Sequence, residues 1–447
     1  MISVDEALAT ILARFAPLPA EEQPLLDALG QVLSEDVTAP FDVPPLTNAA
    51  MDGYAVRAAD TGGASDDRPV RLRVVEDLPA GRCATRTVES GSAIRIMTGA
   101  PLPTGADTVV QFELTGEGRG QARGDWVELF APARAGTNIR LAGEDLRRGA
   151  VVLAAGTPLR PAEVGVLATM GRPTAPVHRR PRVAILSTGD ELLQPGQRWS
   201  AGKIYDSNSF TLAAMVLRAG GVPVMLGAAP DRLDELIARV DRLVESAPRT
   251  EGGAPSREGS GSSTAGAASG TAGAASGTAG AASSPAGADL LVTSAGVSAG
   301  DYDVVKQALT SLGQVAFYQV RMRPGRPLAF GELRGVPLLG LPGNPVASAI
   351  SFELFGRPAI RRMLGWRESA RTEVEARFEG SVDNYDLRRS FYRVRLSRED
   401  GELVARLTGP QGSGILSSLA LADGLMVIDE ETRSVESGQT VRIWLLE

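Results

Sequence analysis

Apolar residues near the start of the chain, Ala7, Leu8, Ile11, Leu12 and Phe15, recur at helical spacing. Ser3 and Glu6 supply a capping-box signature ahead of them, so the pattern predicts an amphipathic N-terminal helix. From about Gln31 to Gly171 the rhythm changes to short apolar runs broken by proline and glycine, such as VVEDLPAGR and GSAIRIMTGAPLPTGADTVVQFE. Short strands and turns explain that text better than helices do, and it predicts a β-rich module.

From Pro181 the order becomes strand, loop, helix. RVAILSTG reads as a buried parallel strand, and SNSFTLAAMVLRAGG as a helix that starts near Ser207 or Asn208 and stops at Gly220 and Gly221. VPVMLG, LLVTSAG, VAFYQV and VPLLGLPG read as further strands. DRLDELIARVDRLVES and VVKQALTSLG read as helices, and another helix opens at Asn344 with Pro345 in its first turn. Such alternation predicts a mostly parallel sheet covered on both faces. Between the helix after VPVMLG and the strand LLVTSAG, residues 249–287 repeat TAGAASG-like units without one large apolar side chain. Such a segment cannot offset its ordering entropy, so it reads as a disordered insertion in a surface connection. After about Ser369 the runs EVEARFEG, SFYRVRLS, ELVARL, LMVID and VRIWLL predict a C-terminal β domain, a small barrel or sandwich.

Composition narrows the chemistry. A chain of 447 residues calls for several domains. Its 43% apolar and 22% charged content is that of a soluble globular protein, and the N-terminus lacks the features of a signal peptide. No apolar run approaches the roughly 20 residues of a membrane span, and a cytoplasmic location is expected. The net charge of −7 argues against duplex nucleic acid as a partner. One cysteine, Cys83, and one histidine, His178, exclude a disulfide framework, a cysteine-cluster metal site and a Ser-His-Asp triad. Metal chemistry through oxygen ligands remains, with basic residues to hold anions. Only Lys203 and Lys306 among the 46 basic residues are lysines.

Three segments follow strands of the expected sheet, on the edge where such folds bind ligands. STGDEL offers Asp190 and Glu191. SAGVSAGDYD offers Ser298, Gly300, Asp301 and Asp303. LPGNP offers Gly343 and Asn344. Glycines let backbone approach a phosphate, and the acidic residues can hold Mg²⁺ against it. Each segment alone is only a turn; three on one edge predict a phosphate-plus-metal site. None is a Walker loop or a dinucleotide fingerprint. The run VRMRPGRP adds Arg321, Arg323 and Arg326, and the Pro324–Gly325 turn lets Arg323 and Arg326 converge on one anion.

With STGDEL, IYDSN, SAGVSAGDYD, the PGRP turn and GLPGNP in this order, the chain resembles the molybdenum-cofactor biosynthesis domain. NAAMDGYAVR, IMTGAPLPTGAD and NIRLAGEDL extend the resemblance to the longer molybdopterin molybdenumtransferase family, which includes the E domain of gephyrin. It covers nearly the whole chain outside the low-complexity insertion. The resemblance implies an α/β multidomain protein. Residues 1–44 with 142–178 would form an elongated N-terminal domain, interrupted by a β module at 45–141. A parallel-sheet domain would occupy 179–367, and a C-terminal β-barrel-like domain 368–447. It implies a homodimer with Mg²⁺ as cofactor and a site shared between subunits. The reaction would take molybdate and adenylylated molybdopterin, release AMP and leave molybdenum on the dithiolene. A molybdopterin adenylyltransferase and molybdenum-free acceptor enzymes are implied as further partners.

Carried over by motif, Asp52 and Thr98 would come from the β module. Glu191, Asp231, Asp301 and Asp303 would be carboxylates near metal and phosphate, with Glu191, Asp301 and Asp303 as metal ligands. Arg323 and Arg326 stand where the family usually has lysines. Gln319 stands where many members have another lysine, and Arg321 lies two residues on. Arg393 in FYR and Ser413 in QGSG match positions that contact molybdate or cofactor. Two rival functions remain, an adenylyltransferase and a gephyrin-like scaffold. The former needs only the sheet domain.

Overall fold

The computed structural model describes residues 1–229, 232, 234–235, 237–239, 241, 287–295, 313–367 and 371–446. The chain divides into two compact units. Met1–Glu22, Gly30–Ser34 and Pro176–Glu447 form the larger, and Gln23–Leu29 with Glu35–Ala175 the smaller.

Helix α1 (Val4–Leu12) forms as its sequence predicts. The Glu6 amide donates to Ser3 Oγ and the Ser3 amide to Glu6 Oε2, so two backbone donors of the first turn are satisfied reciprocally. Val4, Ala7, Ile11 and Phe15 are buried in one apolar cluster with Val183, Leu212 and Phe355 of the larger unit. Burial of such side chains contributes about 1.5–3 kcal/mol each for the larger ones.

The smaller unit carries a five-stranded sheet of β1 (Gly53–Val56), β2 (Val70–Leu78), β3 (Ser92–Ile96), β4 (Thr108–Gln111) and β5 (Trp126–Leu129). Their order is β4-β1-β3-β2-β5, with only β2 and β3 parallel. Alternation sends Ala55, Ile94 and Ile96 to one cluster and Tyr54, Ala93 and Val110 to another. Helix α2 (Pro161–Thr169) follows, with Pro161 in its first turn, where its missing N–H costs nothing.

An ion cluster lies on this sheet. Arg95 donates to both oxygens of Glu117, at 2.9 and 2.8 Å, and its guanidinium lies 4.4 Å from the Phe112 ring centroid. Tyr54 donates to the same carboxylate at 2.9 Å. Arg95, assisted by Tyr54 and Arg123, holds the Glu117 carboxyl at about 2. A carboxyl depressed on folding adds stability above its unfolded pKa and loses it as pH falls through the folded value. Glu117→Gln should therefore be less stable than the parent near pH 7, with the gap closing between about pH 4.5 and 2. A gap independent of pH in denaturant titrations would refute this account.

The sheet of the larger unit contains β6 (Arg182–Thr188), β7 (Val222–Ala229), β8 (Leu290–Ser294), β9 (Gly313–Gln319), β10 (Pro327–Leu333) and β11 (Val336–Leu341). Their order is β7-β6-β8-β11-β10-β9. The first four run parallel, whereas β10 and β9 are antiparallel additions at one edge. The sequence reading found β9 but not β10. Opposite faces of β6 feed separate cores, Val183 and Ile185 in one, Ala184 and Leu186 in the other. Helix α3 (Asn208–Ala219) covers the first of these, and ends at Gly220 in the left-handed conformation. Of the next expected helix, Asp234, Glu235, Ile237, Ala238, Arg239 and Asp241 are helical. The helix expected over VVKQALTSLG lies outside the described residues apart from Gly313, which opens β9, as does the insertion at 249–287 apart from Gly287.

Helix α4 (Pro345–Ser351) opens at Asn344 and runs through a π-helical turn, Phe352–Gly356, into α5 (Arg357–Met363). The C-terminal strands β12 (Glu373–Glu379), β13 (Arg389–Glu399), β14 (Glu402–Leu407), β15 (Gly424–Ile428) and β16 (Thr440–Leu445) close into a five-stranded barrel. β13 pairs with β14 and β15, and β12 and β16 complete the ring. Helix α6 (Leu416–Ala420) links β14 to β15. No helix among the described residues is long and apolar enough to cross a membrane.

Candidate functional site

Two cavities meet in the larger unit beyond the C-terminal ends of its parallel strands. The larger, about 660 Å³, is lined by Arg323, Gly325, Arg326, Asn344, Arg393 and Ser413 among others. The smaller, about 410 Å³, is lined by Ser187, Glu191, Tyr205, Asp206 and Asn208, and shares Ala295, Gly343 and Asn344 with the first.

The three strand-end segments come together through side-chain bonds. Asn208 Nδ2 donates to Ser294 Oγ at 2.8 Å and to the Gly343 carbonyl at 2.7 Å, which ties IYDSN to the SAG and LPGNP turns. Its Oδ1 is buried without a partner among the described residues. Such an acceptor is costly to leave unpaired, so it suits an incoming N–H or O–H donor. Asp206, 2% exposed, accepts from Ser187 Oγ, from Ser209 Oγ and from the Ser209 amide, so it fixes the start of α3. Glu191 is exposed at the smaller cavity, folded back over Gly189. Lys203, one of the two lysines, donates to the Asp190 carbonyl and holds that loop shut.

The arginine turn is braced on two sides. Arg323 pairs in register with Ser390 of β13, while the Val320 amide donates to the Arg326 carbonyl at 2.8 Å. Gly325 sits at φ +102°, and a Cβ there would lie 2.5 Å from Ser351 Oγ, so the turn requires glycine. Arg323 and Arg326 are exposed and both line the larger cavity; Arg321 lines neither cavity. Asn344 Nδ2 donates to Ser413 Oγ at 3.0 Å, which ties the sheet edge to the loop after β14.

Arg393 projects from β13 and is 1% exposed. Its Nε donates to Ser418 Oγ and its Nη2 to the Gly412 carbonyl, both at 3.1 Å. Burial pushes the guanidinium down to about 10, and no described carboxylate offsets it. A desolvated cation on a cavity wall, with no carboxylate beside it among the described residues, is chemically suited to an anion.

Asp52 and Thr98 belong to the smaller unit and are both exposed. Asp52 Oδ1 accepts from the Thr98 amide at 2.6 Å and its hydroxyl at 2.7 Å. Those two bonds hold the Asp52 carboxyl below its ordinary range. Asp231, Ser298, Gly300, Asp301 and Asp303 lie outside the described residues. Sequence reasoning passed over Ser187, Asp206, Ser209 and Gln411. Ser187 opens STGDEL, Asp206 lies within IYDSN and Ser209 follows it, so those quoted motifs were the available signal; Gln411, whose Oε1 accepts the Arg393 amide at 2.9 Å, opens the QGSG segment. His178 has a packing role, with Nδ1 2.6 Å from the Leu18 carbonyl, and Cys83 is a free surface thiol.

Comparison with known proteins agrees with this geometry. The family model of the MoeA N-terminal region (domain I and II) matches residues 2–171, and that of a probable molybdopterin binding domain matches 276–362. The model of the MoeA C-terminal region (domain IV) matches 376–446. Molybdopterin molybdenumtransferase 2 of Mycobacterium tuberculosis is 38% identical over 427 residues, covering 94% of this chain and 94% of that protein. The molybdopterin molybdenumtransferase of Bacillus subtilis is 32% identical, covering 100% of this chain and 94% of its own length. A crystal structure of a molybdopterin biosynthesis moeA protein from Pyrococcus horikoshii OT3 matches with a TM-score of 0.76 at 28% identity, over 100% of both chains. Full-length identity above 30%, the three models in register and the shared fold together establish that this chain belongs to the molybdopterin molybdenumtransferase family.

Proposed function

We propose that this chain is a molybdenum insertase, transferring molybdenum from molybdate to the dithiolene of adenylylated molybdopterin with release of AMP. The observation that carries the reading is Arg393, a buried guanidinium with no carboxylate partner among the described residues, on a cavity that also presents Arg323 and Arg326. Molybdate is a tetrahedral dianion, and planar N–H donors from several directions suit its oxygens. Arg323, Arg326, Arg393, Asn344 and Ser413 would hold it. Gly343, where the two cavities meet, would let backbone approach the substrate's phosphates. Asn208 Oδ1 would accept a donor from the ribose or pterin.

Mg²⁺ would neutralise phosphate oxygens when bound. Glu191 is an oxygen donor at the right cavity, with Asp301 and Asp303 as its partners in this reading. Among the described residues no group of three such side chains is found, so the described residues supply one member of that set. Asp52 and Thr98, Asp231, and the Ser298–Gly300 turn complete the proposed machinery. The exposure of Asp52 fits a role toward another surface, and a homodimer in which the smaller unit of one copy completes the site of the other belongs to the same proposal. So do a cytoplasmic location, delivery of substrate by an adenylyltransferase, transfer of product to molybdenum-free enzymes, and the domain boundaries set by 1–44 with 142–178, 45–141, 179–367 and 368–447. An adenylyltransferase reading leaves the matched N- and C-terminal regions without a task.

The test is direct. Purified protein with Mg²⁺, adenylylated molybdopterin and molybdate should release AMP only when molybdate is present, and should yield cofactor that activates a molybdenum-free enzyme. Tight substrate binding without AMP release would overturn the reading.

A further inference from the structure

Gln319 and Arg326 stand on opposite sides of the arginine turn, at the end of β9 and just before β10. Arg326 Nη2 donates to Gln319 Oε1 at 2.6 Å. The identity of the acceptor is fixed by chemistry, because a guanidinium has no acceptor and only the amide oxygen can face it. The backbone between them is already fixed. The Ile2 amide donates to the Gln319 carbonyl at 3.0 Å, the Arg321 amide to the Ile2 carbonyl at 2.8 Å, and Met322 and Arg323 pair with β13. What stays loose at such a turn is the side chain, and an exposed arginine has large rotamer entropy to lose when it grips an anion. A neutral amide clamps Arg326 before the anion arrives without cancelling its charge. A carboxylate at 319 would orient the arginine and neutralise it; a lysine would repel it.

We infer that Gln319 is a positioning residue for oxyanion binding, pre-orienting Arg326 toward the larger cavity. This rests on the reading of that cavity as the molybdate site. It predicts that Gln319 acts only through Arg326. Molybdate affinity should be measured by calorimetry on the full chain for the parent, Gln319→Ala, Gln319→Glu, Arg326→Ala and the Gln319→Ala/Arg326→Ala double variant. Gln319→Ala should weaken binding about fivefold and Gln319→Glu by more, with the Gln319→Ala effect falling below about twofold once Arg326 is gone. In turnover, the loss in Gln319→Ala should fall on KM for molybdate rather than on kcat. Equal loss with and without Arg326, or no loss in Gln319→Ala, would overturn the inference. Failure of the parent itself to bind molybdate would instead refute the cavity assignment on which it rests.

Discussion

Arg393→Ala should reduce molybdenum insertion by at least ~100-fold while the fold survives, because the substitution removes the one cation that, among the described residues, is already desolvated at the proposed site. Arg393 is expected to contribute little to stability in the absence of an anion. Its burial is unfavourable to the charged form, and its two bonds to Ser418 and Gly412 only partly offset that. A hydrophobic side chain of similar length, Arg393→Met, should therefore be at least as resistant to urea as the parent and equally inactive. Stability that rises as activity disappears separates a functional charge from a structural one. Molybdate should also protect the parent against unfolding, by about 2.7 kcal/mol at a hundred times its dissociation constant, and should leave Arg393→Met unprotected. If Arg393→Met retains turnover, the anion is held elsewhere and the assignment of this cavity fails.

Local signals in the sequence were legible and long-range ones were not. The Ser3–Glu6 box, the glycine stop of α3 and proline at the start of α4 are contained within a few residues, and each element forms where its pattern predicts. The strand β10 escaped notice because Pro327 and Gly331 interrupt its apolar run. Gly331 is there for a reason that only pairing reveals: a Cβ would lie 2.1 Å from the Gln314 carbonyl oxygen of β9. The return of β10 into β11 turns on Arg334 and Gly335, both at positive φ, which makes that edge antiparallel. At the site, residue type and order announced an arginine turn and three acidic or glycine-rich loops. The contacts that assemble them, Asn208 to Gly343 and Asn344 to Ser413, join residues far apart in the chain and leave no local trace. Nor does alternation along β13 reveal that Arg393 is buried, since five consecutive residues from Ser390 to Val394 are buried, between the barrel core and the sheet domain's side of the unit.

Glu353→Ala is expected to destabilise the larger unit by about 3–5 kcal/mol, because it leaves buried guanidinium charge uncompensated. Glu353 lies in the π-helical turn after α4 and is 6% exposed. Its Oε1 accepts from Arg371 Nη1 at 2.8 Å and lies 3.4 Å from Arg357 Nη1, and Arg371 also donates to the Glu353 carbonyl. Burial lowers the Arg371 pKa despite the carboxylate beside it, so the pair holds a charge that the interior disfavours. Arg371 stands two residues before β12, with its guanidinium 4.4 Å from the Trp444 ring centroid of β16. The ion pair therefore fastens the helix that begins at Asn344 to the barrel that carries Arg393. Losing it should lower the urea midpoint of the larger unit and weaken molybdate binding together, since both halves of the proposed anion site depend on that joint. Removing the charges as a set, in Glu353→Leu with Arg357→Met and Arg371→Met, should recover most of the stability, because the desolvation cost disappears with the attraction. If Glu353→Ala unfolds at the same urea concentration as the parent, the ion pair does not hold barrel and sheet domain in register. The packing of Phe352, Phe355 and Phe391 in their shared core would then be sufficient to do so.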